Sequence, residues 1–175
     1  MTDDSNQLAH QAFAYIETVA RPFVANGGRL WTKTEGIAGE APASKLRKML
    51  VPLDNTIAVT LTSDAARQPE ARVIREHCLP AKRIAIETID PLQGDPRCHS
   101  NCVLVGRAEC PDDVLRIYRE LAVIAYVTPE EDNHLSTAHK SSRWDAWEGD
   151  WKKRYAKANV EVFPIRKPQL WNVAP

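Results

Sequence analysis

Residues 111–125 read as an amphipathic helix. Pro111 stands where a first helical residue belongs, and Asp112 and Asp113 complement the positive end of the helix dipole. Val114, Ile117, Tyr118, Leu121 and Ala125 then form one apolar stripe that has to be buried. The chain has 175 residues, 43% of them hydrophobic, which is enough for one good core and short for two. A single domain over residues 1–175 is therefore expected. A second helix is predicted over about 5–26, where Leu8, Ala12, Tyr15, Ile16, Val19 and Phe23 recur at three and four residues; Pro22 should kink it, and Gly27 and Gly28 stop it.

Charge removes several classes of function. Twenty-three basic residues balance 23 acidic ones, so the chain lacks the global positive field that gathers polyanions, and no nucleic-acid partner is expected. The start, MTDDSNQLAHQ, is acidic and polar, and nowhere do 18 apolar residues follow one another. The expectation is a cytoplasmic protein with no membrane partner. The four cysteines are read as free thiols, with Cys78 and Cys110 buried beside apolar elements and Cys98 and Cys102 reactive in a polar loop.

Between and after the two helices the pattern reads as strands. Residues 29–34, 45–51 and 56–63 are β-rich and bounded by Gly, Pro, Asn or Asp. Residues 69–78 (PEARVIREHC) read as a short helix starting at Pro69, 83–91 as an alternating strand, 101–110 as a buried strand and 160–171 as a closing strand. Residues 128–158 form a polar connection. The class expected from this order is mainly β with flanking helices, as a closed or nearly closed antiparallel barrel, because closure removes the exposed edges of a small sheet.

The segment TIAVTLTSDAARQPEARVIREHCLPAKRIAIETIDP, followed by NCVLVGRAECPDD and VEVFPIRKPQLWN, resembles the pyridoxamine 5'-phosphate oxidase-like FMN-binding split β-barrel family. In that family a strand ends in Thr, a basic phosphate-binding pair follows, and a short helix leads into the next strand. The resemblance implies a six-stranded antiparallel split β-barrel, a homodimer with FMN in a cleft between the subunits, and a small-molecule substrate or reduced nicotinamide. This chain departs from the pattern in having Arg67 followed by Gln68 at the basic pair, and it lacks the Arg-rich C-terminal motif of the true oxidase.

Candidate FMN contacts follow from the resemblance and from donor chemistry. Arg67 stands five residues after Thr62, the family spacing, with Arg72 nearby, and Thr62 and Ser63 offer hydroxyl donors to the phosphate. Lys45 and Arg47, two apart on a predicted strand, would face one side and reach the cofactor. Taken singly, each of these cations suits a solvent-facing position better, and it is their joint placement that favours a site. Trp31 reads as a core or interface aromatic. Trp144, Trp147 and Trp151 are spaced for one helical face, either packed or a lid, and Lys152, Lys153, Arg154 and Lys157 read as a solvated charge run.

The expectation from sequence is thus an FMN-binding oxidoreductase-like protein with no catalytic acid or base assigned and no metal. The alternatives are a non-catalytic ligand- or haem-binding module on the same barrel, or a small zinc or thiol site at Cys98, His99 and Cys102. Zinc there would need a fourth ligand from His77, His134 or His139.

Overall fold

The structure, a computed structural model, describes residues 3–31, 40–79, 81–90, 107–138, 151–165 and 172–173. The predicted N-terminal helix is present as α1 (Asp3–Tyr15), a π-helical turn (Ile16–Ala20) and α2 (Arg21–Ala25). Pro22 has no N–H to offer the turn before it, so the register slips there, and the Arg21 N–H reaches back five residues to the Ile16 carbonyl. The expected kink is thereby absorbed as a widened turn. Thr18 Oγ1 donates to the Ala14 carbonyl at 2.7 Å on the same stretch.

Gly27 ends α2 at φ 83°, with its N–H on the Val24 carbonyl and the Gly28 N–H on the Phe23 carbonyl, both at 2.9 Å. This pair of bonds satisfies two orphan carbonyls and requires the left-handed backbone at Gly27. A Cβ at Gly27 would meet nothing within 4 Å, so a substitution there costs conformational energy alone. Gly27→Ala should lower stability by about 1–2 kcal/mol. Urea denaturation checks this, and an unchanged midpoint would show that the turn relaxes freely.

The remaining elements are α3 (Pro42–Leu50), a 3-10 turn (Val51–Thr56), β1 (Leu61–Ser63), a short 3-10 turn (Ala65–Arg67), β2 (Arg72–His77), α4 (Ala81–Ile89), α5 (Pro111–Leu121), β3 (Ile124–Val127), α6 (Pro129–Ala138), α7 (Trp151–Lys157), β4 (Val162–Pro164) and β5 (Asn172–Val173). The strands form one open mixed sheet in the order β4-β1-β3-β2-β5. β1 runs parallel to β3 and β2 parallel to β5, while β4 is antiparallel to β1 and β2 antiparallel to β3. This overturns the expected six-stranded antiparallel split β-barrel: among the described residues the sheet is open and mixed, and the larger core lies between helices.

Particular segments explain the difference. Residues 45–50 belong to helix α3 and Val51 opens the 3-10 turn, because Ala43, Leu46 and Leu50 fall on one buried face and Lys, Leu, Arg and Met are strong helix formers. Residues 83–89, read as an alternating strand, form α4, which is buried on all sides, so its polar positions mark no solvent face. Residues 72–77, read as a helix, form β2: β-branched Val73 and Ile74 open a strand that pairs with β3 from Ile74↔Val127 to His77↔Ile124. The predicted helix at 111 is present but stops at Leu121, and the β-branched run beyond it becomes β3. The polar connection holds α6 and α7. Strands were expected over 56–63 and 160–171, where β1 and β4 occupy only three residues each. Residues 101–106 lie outside the described residues, and 107–110 form no strand.

Two cores flank the sheet. Ala9, Ala12, Ile16, Leu46, Leu50, Ile84, Ile89, Val114 and Ile117 join α1, α3, α4 and α5 into a helical layer. Cys78, Ala125, Val127, Leu135 and Tyr155 pack the other side of the sheet against α6 and α7. Successive residues of β2 therefore serve different layers: Arg75 and His77 turn towards the helical layer, Ile74 and Glu76 towards α6 and α7. Among the described residues no helix is long and apolar enough to cross a membrane.

Candidate functional site

Three elements converge where β2 meets the helical layer. Pro52 and the turn of α3 set the 3-10 segment that presents Asp54, β2 presents Arg75 and His77 two residues apart on one face, and α5 brings Tyr118. Asp54 Oδ1 lies 3.0 Å from His77 Nε2 and accepts a hydrogen bond from the Tyr118 hydroxyl. Arg75 Nη2 donates to the Asp54 carbonyl at 2.7 Å and the Ile57 carbonyl at 2.9 Å, clamping the carbonyl end of the 3-10 turn with a cation.

The electrostatics follow from these bonds. Burial works to raise the Asp54 carboxyl, but the hydrogen bonds from His77 and Tyr118, with the charges of His77 and Arg75, outweigh it and hold Asp54 below its ordinary value. Tyr118 is pushed up, first by burial and then by the bond to Asp54. The carboxylate is thus ionised, the phenol neutral, and the His77 nitrogen facing Asp54 is the one that carries the proton. The other ring nitrogen, Nδ1, has no protein partner among the described residues, and the His77 side chain is 17% exposed.

The FMN contacts expected from sequence are placed as follows. Lys45 and Arg47 lie exposed on α3, where two residues correspond to about 200° of rotation, so they do not share a side. Thr62 and Ser63 end β1 and are buried; Ser63 Oγ donates to Glu131 Oε2 at 2.6 Å and accepts the Ala66 N–H at 3.1 Å. Arg67 pairs with Asp64 at 3.2 Å and stacks over the Phe163 ring at 4.7 Å. Arg72 opens β2, opposite Asn172, rather than a helix. Thr62, Ser63 and Arg67 therefore stay together at one end of β1, and no described contact joins Lys45, Arg47 or Arg72 to them. Ser63 and Glu131 are already committed, since Glu131 also accepts the Thr128 N–H at 2.9 Å as part of the cap of α6.

Other expectations divide. Cys78 is buried as expected, but Cys110 is exposed, because the apolar run before it ends at Ala108 and Cys110 is the cap residue of α5. Trp31 is exposed and Trp151 packs edge-on against Tyr155. Arg154, read as part of a solvated run, is buried and pairs with Glu76 at 2.6 Å. Cys98, His99, Cys102, His139, Trp144 and Trp147 lie outside the described residues. Among those described, no three His, Cys, Asp or Glu side chains are grouped to hold a metal ion.

Sequence reasoning missed Asp54, Arg75 and Tyr118 as site residues and named His77 only as a possible zinc ligand. Asp54 and His77 are 23 positions apart and Asp54 and Tyr118 are 64 apart, so no local motif announces the group. The chain matches no protein-family model, no curated protein and no solved structure.

Proposed function

We propose that this chain is an enzyme in which His77 acts as a general base through Nδ1, oriented by Asp54, on a proton of a small-molecule substrate or of water. The observation that carries this reading is the two-sided state of the imidazole: one nitrogen is fixed by the Asp54 carboxylate, and the other has no partner among the described residues on a side chain that is 17% exposed. An aspartate so placed selects the tautomer with the lone pair outward and stabilises the imidazolium once the proton arrives. Tyr118 and Arg75 are positioning residues, the first pinning the carboxylate and the second the turn that carries it. The FMN reading depends on a barrel that this fold replaces.

The tautomer is measurable. Long-range nitrogen NMR should find the His77 proton on Nε2 above neutral pH, and Asp54→Ala should remove that preference. Hydrolysis of an activated ester such as 4-nitrophenyl acetate should fall at least about tenfold in His77→Gln, below the range usual for a general base because the ester is not the natural substrate. A proton found on Nδ1, or an unchanged rate in folded His77→Gln, would overturn the reading. Flavin absorbance in the purified protein would restore FMN as the first hypothesis.

A further inference from the structure

The base has a cationic rim. Arg75 and His77 project from the same face of β2, two residues apart, and both engage Asp54. Arg75 commits Nη2 to the two carbonyls of the 3-10 turn, which leaves Nη1 without a protein acceptor among the described residues. Arg47 sits in the last turn of α3, directly before the 3-10 turn that carries Asp54. It has no acidic residue three or four positions away in its helix, and no ion pair among the described residues.

Most arginines of the described fold are matched to carboxylates: Arg21 to Glu17, Arg67 to Asp64, Arg83 to Glu87, Arg107 to Glu109, Arg116 to Asp113 and Arg154 to Glu76. The two at this site are not. Arg75 offsets the charge of Asp54, so the positive charge of Arg47 remains over. Arg47 is exposed in the last turn of α3, which leads directly into the 3-10 turn that carries Asp54, and its charge opposes the rise of the Tyr118 hydroxyl.

We infer that the substrate carries an oxyanion, a carboxylate or a phosphate, held by Arg47 and the free edge of Arg75 beside Nδ1 of His77. A guanidinium presents two parallel N–H groups that match the oxygens of either anion, so the anion would both bind and set the direction from which the proton is offered. This inference rests on the general-base reading of His77, but its test is a binding measurement that does not require that reading to hold.

The experiment titrates the folded protein with inorganic phosphate and, separately, with acetate, following the His77 ring signals by NMR. Either anion should move those signals in a saturable way. Arg47→Gln should weaken the tighter of the two roughly tenfold to a hundredfold, the usual worth of a charge-assisted hydrogen bond, while Arg47→Lys recovers part of the loss. Lys45→Gln, on another side of the same exposed helix, should leave the affinity within about twofold. Saturation by neither anion in the wild type, or equal weakening by Arg47→Gln and Lys45→Gln, would overturn the inference, and neither outcome touches the tautomer result. If phosphate binds and Arg47→Gln weakens it while His77→Gln leaves ester hydrolysis unchanged, the anion site stands and the general-base reading fails.

Discussion

Alkali should unfold this protein over a narrow pH interval with a midpoint at or above about 11. Three buried acids resist ionisation in the fold. Burial pushes the Cys78 thiol from 9.0 up to about 12, against a partial opposing effect of its bond to the Tyr155 hydroxyl. Tyr118 and Tyr155 are both driven above their ordinary 10.0, burial being the first cause in each. As pH rises the unfolded chain releases these protons first, so it binds fewer than the folded chain and stability falls. Below about pH 9 the contribution is intact. Once all three groups are ionised in the unfolded chain alone, the slope is about 4 kcal/mol per pH unit, three protons at about 1.4 each.

A domain stabilised by about 5–15 kcal/mol cannot tolerate that slope for more than roughly one to four units. Tyrosinate absorbance from Tyr118 and Tyr155 should therefore rise together with the loss of circular dichroism, in one cooperative step. Tyr118→Phe deletes one of the three protons and should reduce the steepness by about a third. Tyrosinate absorbance that completes near pH 10 with the dichroism intact would show that the two hydroxyls are open to water and would remove the premise.

What could be read from the sequence follows how local each determinant is. Helix α5 was legible because a single stretch holds its proline, its acidic first turn and its apolar stripe. The N-terminal helix was legible for the same reason, down to the glycine stop at Gly27. Helix α4 was not, because a helix buried on every side shows no period of its own, and Ile84-Ala85-Ile86 alternates by coincidence as a strand would. β2 was hidden by Pro69, a residue as suited to the turn it occupies as to the helix start it suggested, and by charges that are satisfied on both faces of a covered sheet. The candidate site was the least legible part. Its four side chains come from a 3-10 turn, a strand and a helix, and only the packing of the helical layer against β2 brings them together.

Behind the proposed site, on the opposite face of β2, the pair Glu76 and Arg154 supports a second large effect. Their side chains are 19% and 7% exposed, and Arg154 also donates to the His77 carbonyl at 3.1 Å and the Cys78 carbonyl at 3.4 Å, tying α7 to the end of the strand. Burial holds Glu76 above its ordinary 4.5 in spite of the arginine, so the carboxylate is already costly to ionise. Arg154→Met keeps most of the volume and removes the partner, and should destabilise by about 3–5 kcal/mol, the usual cost of leaving one member of a buried pair uncompensated. The sign with pH separates this cause from lost packing. Glu76 would be raised further, so its penalty is absent when both states are protonated and grows as pH climbs above 4.5 towards the new folded value. The deficit relative to wild type should shrink as urea titrations move from neutral pH towards 4.5, and Glu76→Gln added to Arg154→Met should recover most of it at neutral pH. A deficit that is constant with pH and unmoved by Glu76→Gln would mean that Arg154 acts through its packing and its two carbonyl contacts, and that the ion pair contributes little to holding β2 in place.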